Sequence, residues 1–249
     1  MYQIIQGDCL EAMGHIKDKS VDAIMCDLPY NVTRNKWDQE VIDLDELWGH
    51  YKRIIKDDGA IILFGQGLFS AKLMMSQPKL YRYSLVWDKV LKGGFLNANR
   101  MPLRQHEDIL VFYKKLPSYS PQMVEGRPNN SKGTSQKHTN NNYGAYEIQD
   151  NRGKLGNLKY PGSIITIPKD HPSIMQHPTQ KPVELMEYLI KTYTKEGELI
   201  LDNTMGSGTT GVAAINLKRS FIGIERELEY LNIAKERLDE AVTKQEGYN

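Results

Sequence analysis

The sequence predicts an α/β fold in which helices cover both faces of a seven-stranded, mostly parallel sheet. The first observation is a set of seven short runs rich in apolar, mostly β-branched or aromatic residues, which is typical of strands. The second is that segments with helical spacing separate several of these runs, and such alternation favours a parallel sheet. The predicted strands are Tyr2–Ile5, Val21–Cys26, Ala60–Phe64, Ser84–Trp87, Ile109–Tyr113, Leu199–Leu201 and Phe221–Ile224.

The segments between these runs indicate helices, because their apolar residues recur at intervals of three or four and so share one helix face. The residues with this spacing are Leu44, Leu47, Trp48 and Tyr51, then Leu185, Met186, Leu189 and Ile190, and finally Tyr230, Ile233, Ala234 and Leu238. The connection from Trp87 to Ile109 differs, since it contains Gly93, Gly94 and Pro102 and has no helical period. For that pair of strands we predict an antiparallel arrangement at a sheet edge.

Length and composition limit the possible classes. The 249 residues, 40% hydrophobic, suit one large α/β domain with at most a modest insertion. The net charge of +1 gives no polycationic signal, so any affinity for nucleic acid must come from local clusters. We expect a cytoplasmic protein without a membrane partner, since the first residues do not resemble a signal peptide and no apolar run is long enough to span a bilayer. Cys9 and Cys26 lack metal-ligand spacing, which predicts reduced thiols and no metal.

One stretch, from Leu116 to Tyr160, interrupts the alternation of strands and helices. It is rich in Asn, Gly, Ser, Lys and Pro, and an irregular segment of this length inside a compact domain is usually functional or disordered. Between Arg127 and Tyr160 it has four more basic than acidic residues, with tyrosines interleaved, which indicates a nucleic-acid surface. A solvated, disordered loop is the alternative. The candidate DNA-binding residues are Arg127, Lys132, Lys137, Arg152, Lys154 and Lys159.

A glycine loop follows the predicted strand at Leu199. Gly206, Gly208 and Gly211 match the G-x-G-x-x-G pattern, and Glu225 ends the next strand at about the ~20-residue distance typical of an acid that binds ribose hydroxyls. Both features favour a cofactor that contains adenosine. A glycine loop that only closes a tight turn is the structural alternative.

The nature of the cofactor depends on Asp202, which lies between the strand and the glycines. A carboxylate there would repel the pyrophosphate of a nicotinamide cofactor, which usually sits at the helix N-terminus. S-adenosylmethionine has no phosphate and presents an ammonium and a sulfonium, which a carboxylate tolerates or favours. The residues therefore favour S-adenosylmethionine, although the glycine pattern alone leaves a nicotinamide-dependent dehydrogenase open.

The strand at Val21–Cys26 ends in Asp27-Leu28-Pro29-Tyr30, which we interpret as a catalytic segment. Ligands of open α/β sheets bind beyond the carboxyl ends of the strands. Asp27 and the Leu28 carbonyl could accept hydrogen bonds from an aromatic amine, whose lone pair is otherwise delocalised into its ring. Pro29 would stiffen the turn, and Tyr30 offers a flat face on which an extruded base could stack.

On these motifs the sequence resembles the DNA amino-methyltransferases, whose signature is Asp/Asn/Ser-Pro-Pro-Tyr/Phe, in the β-class order. The blocks appear in that order over most of the chain: Gly7-Asp8, Asp27–Tyr30, Ile61–Gly65, Leu85–Lys89, His106–Phe112, His-Pro-Thr-Gln-Lys-Pro at His177–Pro182, and the glycine loop from Asp202. The resemblance implies a Rossmann-like, S-adenosylmethionine-dependent methyltransferase fold with a circularly permuted motif order. It further implies double-stranded DNA as partner, a possible homodimer and a restriction-modification role.

The resemblance also implies site residues and three regions. The catalytic half is residues 1–115, the target-recognition insert residues 116–160 and the cofactor-binding half residues 161–249. Thr179, Gln180 and Lys181 are expected to close the methionine end of the pocket. The whole cofactor set is Asp8, Cys9, Phe64, Thr179, Gln180, Lys181, Asp202, Gly206, Ser207, Gly208, Thr209, Thr210 and Glu225.

One departure concerns Leu28, which replaces the first proline of the signature. We expect activity to survive, since the family uses the backbone carbonyl of that residue. Asp27 favours the N6 amine of adenine, with the N4 amine of cytosine as the alternative. A catalytically silent DNA-binding protein is a further alternative from another class. Cys26 lacks the Pro-Cys context of ring methylation, and the setting of His177 next to Pro178 favours a turn or capping role over that of a general base.

Overall fold

The computed structural model describes residues 1–30, 42–127, 138–140, 144–146, 157–171, 173, 175–177 and 180–247. Its strands are β1 (Tyr2–Gln6), β2 (Val21–Cys26), β3 (Ile55–Gly65), β4 (Tyr81–Gly93), β5 (Arg104–Phe112), β6 (Val124–Glu125), β7 (His138–Asn140), β8 (Gly144–Tyr146), β9 (Leu158–Lys159), β10 (Ile164–Thr166), β11 (Leu199–Asp202) and β12 (Ser220–Glu225). Its helices are α1 (Cys9–Gly14), α2 (Leu44–Ile54), α3 (Leu68–Ser76), α4 (Val183–Tyr193), α5 (Thr209–Asn216) and α6 (Leu228–Glu246), with a 3₁₀ turn at Phe95–Asn97.

The central sheet has the order β1-β12-β11-β2-β3-β5-β4-β10. The predicted α/β fold with a mostly parallel sheet is confirmed, because among the described strands of this sheet only the two pairs that include β5 are antiparallel. All seven predicted strands are present. The eighth, β10, was not predicted, because three residues are too few to show a strand pattern. It pairs with β4, so the β4–β5 pair is antiparallel as expected but does not form the edge.

The core lies on both faces of the sheet, as the alternation of side chains along the strands requires. On one face, Ile24 and Ile61 pack with Trp48 and other buried residues of α1, α2 and α3. On the other face, Met25 and Ile62 pack with buried residues of α4, α5 and α6. Because both faces are covered, the functional groups are left to the ends of the strands.

Residues 1–120 and 163–249 form one compact unit, and residues 121–162 form a second. In the second unit, β6 pairs with β9 and β7 with β8, both antiparallel. Arg127 is exposed and Lys159 is half-buried in β9, whereas Lys132, Lys137, Arg152 and Lys154 lie outside the described residues. The target-recognition role of this region stays a prediction. Within the described ranges, no helix is both long and apolar enough to cross a membrane.

Candidate active site

A cavity of about 410 Å³ opens at the carboxyl ends of β2, β11 and β12. Strand order creates it, because β11 lies between β12 and β2 and all three run parallel. The catalytic segment after β2 and the glycine loop after β11 are far apart in sequence, yet both line this cavity. Its size is within the range of about 300–1,000 Å³ that is usual for small-molecule sites.

The glycine loop depends on the absence of side chains at two positions. Gly208 has φ +77°, a left-handed conformation that glycine adopts without strain, and a Cβ there would lie 2.9 Å from the Ala234 Cβ. A Cβ on Gly211 would lie 2.5 Å from the Phe221 ring. The two glycines therefore let the loop turn sharply into α5 and let α5 pack against β12 and α6.

Two carboxylates border the glycine loop. Asp202 accepts hydrogen bonds from Thr210 Oγ1 at 2.5 Å and from the Thr204 amide at 3.1 Å. Burial raises the pKa of Asp202 to about 7. Glu225 accepts from the Gly206 amide at 2.9 Å and from the Glu227 amide at 2.9 Å, and burial raises its pKa as well. Asp202 and Glu225 therefore both border the cavity beside the glycine loop.

A third acid, Asp8, stands at the first turn of α1, and its side chain accepts from the Leu10 amide at 2.8 Å. Asp8 and Cys9 line the cavity, as does Phe64 at the end of β3. Burial raises the pKa of the Cys9 thiol to about 11, so this cysteine is a neutral wall residue. Asp8 is therefore fixed by its role as helix cap before any ligand binds.

The His177–Pro182 block reaches the cavity through three described side chains, those of His177, Gln180 and Lys181. Gln180 accepts from Ser207 Oγ at 3.1 Å, which joins the block to the glycine loop. His177 packs its ring edge-on against Tyr230 at 4.3 Å, and its backbone oxygen accepts from the Gln180 amide at 3.1 Å. Burial and the charge of Lys181 lower the pKa of His177 to about 4. Thr179 lies outside the described residues.

The catalytic segment presents Asp27 to the cavity. The Tyr30 hydroxyl donates to one carboxylate oxygen of Asp27, and the Lys181 ammonium donates to the other. Thr204 Oγ1, from the glycine loop, donates to the Asp27 backbone oxygen at 3.1 Å. The Tyr30 ring stacks on Phe69 at 4.7 Å with an interplanar angle of 32°. Leu28 is buried, and both it and Pro29 line the cavity.

Asp27 belongs to a charge quartet of two carboxylates and two ammonium groups, which we define as Asp27, Lys181, Glu107 and Lys89. Lys181 Nζ is 3.3 Å from Glu107 Oε2, and Lys89 Nζ is 3.0 Å from Glu107 Oε1. Lys181 Nζ also lies 4.9 Å from the centre of the Phe64 ring, an aromatic face that attracts a cation. All four charges therefore have an opposite charge as neighbour.

The pKa values follow from this arrangement. Burial raises the pKa of Asp27, and the charge of Glu107 raises it further, although Lys181 opposes both effects. For Glu107, burial is outweighed by Lys181 and Lys89, so its pKa lies below the usual value. For Lys181, burial is outweighed by the two carboxylates, so its pKa is raised. Lys181 is thus a firmly charged partner of Asp27.

Sequence reasoning missed Glu107 and Lys89 as members of the site. Each is a charged residue two positions along a strand from a buried apolar residue, Trp87 for Lys89 and Ile109 for Glu107, and that position was a usable signal. The contact of Lys181 with Asp27 was also not foreseen, and a role for Lys181 at the methionine end of the pocket stays a prediction.

Cys26 is buried and lies 3.1 Å from the Tyr51 hydroxyl, with burial raising the pKa of its thiol. Among the described residues, no cluster of acids, histidines or cysteines could hold a metal.

Comparison with known proteins gives consistent matches. A family model described as DNA methylase matches residues 21–236. Type II methyltransferase M2.LlaDCHI of Lactococcus lactis subsp. cremoris is 30% identical, over 96% of this chain and 90% of that protein. DNA adenine methyltransferase YhdJ of Escherichia coli K12 is 29% identical, over 96% of this chain and 83% of that protein. The crystal structure of the M1.HpyAVI–SAM complex superposes with a TM-score of 0.65 at 26% identity, over 96% of this chain and all of that one.

Proposed function

The chain belongs to the DNA methylase family, and from this premise we propose that it transfers a methyl group from S-adenosylmethionine to the N6 amine of adenine in double-stranded DNA. The observation that carries the proposal is that Asp27 and the glycine loop line one cavity. A group that could orient an amine therefore faces the same space as a loop suited to a nucleoside cofactor. The shared cavity is what transfer between two ligands requires.

The side chains around the loop fit S-adenosylmethionine. Asp202 and Glu225 place carboxylates where a ligand with a cationic end and a ribose can use them, and Asp8 adds a third at the cavity wall. Phe64, Met205 and Ile224 supply apolar surface. Asp202, at the end of β11 before the glycines, disfavours a pyrophosphate at the N-terminus of α5, so a nicotinamide-dependent dehydrogenase is not supported. When bound, S-adenosylmethionine supplies a methyl group on a sulfonium, and the protein supplies the binding and orientation of the two ligands.

Asp27 is assigned to the target amine. Its carboxylate accepts a hydrogen bond from the amine, and the Leu28 carbonyl accepts a second, so the nitrogen lone pair becomes available for attack on the methyl group. Held in this way by Asp27 and the Leu28 carbonyl, the nitrogen would take the methyl group that bound S-adenosylmethionine would supply, with the bonding electron pair left on its sulfur. The methylated nitrogen then loses its extra proton, and the nearest acceptor is Asp27, whose raised pKa suits that role.

Tyr30 is assigned to the ring of the target base. In the structure its own ring already stacks on Phe69, so its orientation is fixed, and its hydroxyl holds Asp27. An extruded adenine would extend this stack, which is a common way to hold a flipped base. Adenine is favoured over cytosine by Asp27 at the first position of the segment and by the similarity to a DNA adenine methyltransferase.

The product tests this assignment directly. DNA methylated by the purified protein and digested to nucleosides should contain N6-methyladenine, identified by mass spectrometry. N4-methylcytosine as the sole product would overturn the choice of base while leaving amine methylation intact. DNA without any methylated amine would refute the proposed function as a whole.

The cofactor assignment leads to a second prediction. Glu225→Ala should weaken S-adenosylmethionine binding by about 1–3 kcal/mol, because it removes hydrogen bonds to a buried charged acceptor. Titration calorimetry measures the loss. Glu225→Gln keeps an oxygen acceptor and should lose less, and Glu229→Ala, an exposed acid on α6, should bind as wild type does. Equal affinity of wild type and Glu225→Ala would exclude Glu225 from the cofactor site.

The proposal also covers the remaining regions. Residues 1–115 carry the catalytic segment, residues 161–249 carry the glycine loop, and residues 116–160 are assigned to target recognition on the basis of their positive charge. The other assigned cofactor residues are Cys9, Thr179, Gln180, Lys181, Gly206, Ser207, Gly208, Thr209 and Thr210. A homodimer and a location in the cytoplasm are part of the proposal and rest on the family resemblance and the sequence pattern, respectively.

A further inference from the structure

The last residues of β4 and its connection to β5 expose apolar side chains that contact no core. Residues 90–102, which we name the hairpin tip, are thirteen consecutive exposed residues. Phe95 is 77% exposed and Leu96 is 83% exposed. Large apolar side chains grouped in this way generally mark a binding surface.

The hairpin tip is also positively charged. Lys92 and Arg100 are exposed, and no acidic residue occurs between Asp88 and Glu107. Apolar side chains flanked by cations match a ligand with a polyanionic surface and a stacked apolar interior. Duplex DNA has this combination, with phosphates outside and stacked bases inside.

The base of the hairpin fixes where the tip stands. Asp88 accepts from the Val90 amide at 2.9 Å and from Gln105 Nε2 at 3.0 Å, which ties the two strands together. Val90 has φ +63°, an unfavourable conformation for a β-branched residue, so the surrounding contacts must hold it there. The chain direction in the last part of β4 is therefore imposed by contacts at the base.

The same base borders the catalytic cavity. Arg104, where β5 begins, donates to Gln66 Oε1 at 2.9 Å, and both residues line the cavity that contains Asp27. Any duplex that delivers a base to Asp27 must approach this rim. The hairpin tip is then beside the duplex at the point where the base leaves the stack.

We propose that the hairpin tip is a wedge that enters the DNA duplex beside the target base, with Phe95 and Leu96 occupying the space that the extruded base vacates. Lys92 and Arg100 pair with the phosphates on either side. Apolar wedges of this kind stabilise unstacked base steps in other DNA-binding proteins. The inference rests on the proposed function, because a wedge is useful only to an enzyme that extrudes a base.

The test uses the full-length protein and the sequence that wild type methylates, identified first by sequencing its methylated DNA. Phe95→Ala/Leu96→Ala should slow single-turnover methylation of the paired duplex by about 10- to 100-fold, because apolar side chains no longer occupy the space that the extruded base leaves. On a duplex in which the target adenine faces an abasic site, extrusion is easier and the rate should recover to nearly that of wild type. Cofactor affinity, measured by calorimetry, should not change and shows that the variant is folded.

The control is Met75→Ala, which removes an exposed apolar side chain from α3 and should leave both rates unchanged. Equal rates for wild type and the Phe95→Ala/Leu96→Ala variant on the paired duplex would overturn the wedge. An equal loss of methylation rate on both duplexes would overturn it too. A variant with an altered oligomeric state in sedimentation and unaltered methylation would also overturn it, and would assign the hairpin tip to contact with a second copy of the chain. Wild type that methylates no DNA would instead refute the proposed function.

Discussion

Asp27→Ala is expected to slow methyl transfer on the order of 10³-fold or more while S-adenosylmethionine binds nearly as it does to wild type. In the proposed mechanism Asp27, at the carboxyl end of β2, orients the target amine, and alanine supplies no acceptor. The cofactor contacts proposed here come from other segments, so the binding step should survive. Single-turnover kinetics on target DNA and cofactor calorimetry measure the two effects separately.

Two further variants define the role of Asp27. Asp27→Asn keeps one oxygen acceptor and should retain more activity than alanine. Tyr30→Phe keeps the ring that stacks on Phe69 and removes only the hydroxyl that donates to Asp27, so it should remain active. An Asp27→Ala enzyme with substantial activity would contradict the mechanism, and one that no longer binds the cofactor would show that Asp27 shapes the whole cavity.

Lys181→Met is expected to lower the free energy of unfolding by about 3–5 kcal/mol near neutral pH, because it leaves buried carboxylates without their shared cation. The side chain of Lys181 is only 10% exposed, and those of Asp27 and Glu107 are 23% and 17% exposed. Solvent therefore screens these charges poorly. Chemical denaturation measures the loss, and Lys114→Met, which breaks an exposed pair, should leave the free energy of unfolding nearly unchanged.

The free energy of unfolding that Lys181→Met loses should decrease as the pH falls. In wild type the pKa of Lys181 is raised by folding. The charged side chain therefore contributes its full stabilisation below the ordinary lysine pKa, and this stabilisation is lost only as the pH rises through the pKa of Lys181 in the folded protein. In the variant, removal of this cation raises the pKa values of Asp27 and Glu107, so both protonate as the pH falls. The difference from wild type should therefore be smaller at pH 5 than at pH 8. Equal differences at both pH values would contradict a charge-based role.

Much of the fold could be predicted because the buried positions of a strand or helix produce a local pattern of apolar residues in the sequence. The run Ala60–Phe64 is apolar throughout, since side chains on both faces of β3 are covered by helices. The spacing of Leu47, Trp48 and Tyr51 similarly records the single buried face of α2. The glycine loop was recognisable because close packing against Ala234 and Phe221 restricts those positions to glycine.

The features of the fold and the site that could not be predicted depend on contacts between distant parts of the chain. Lys181 and Asp27 are 154 residues apart, and nothing local to either residue specifies the pair. Strand β4 continues to Gly93, well past the predicted Trp87, because pairing with β5 extends it through polar and exposed residues. The β10 strand exists only because the edge of β4 is available to pair with it.

The order of strands has a consequence for how the molecule is made. β1 and β2 come first in the chain, yet the two strands that separate them in the sheet, β12 and β11, come last. During synthesis the edge of β2 that pairs with β11 stays unpaired until Leu199 and the residues after it have been made. At typical elongation rates of ~5–20 residues per second this takes about 10–35 s. Contacts of such long sequence separation also form slowly. A nascent chain stalled before β11 should consequently expose an unpaired apolar strand and need protection from aggregation, and the ribosome would have to release nearly the whole chain before a working enzyme could exist.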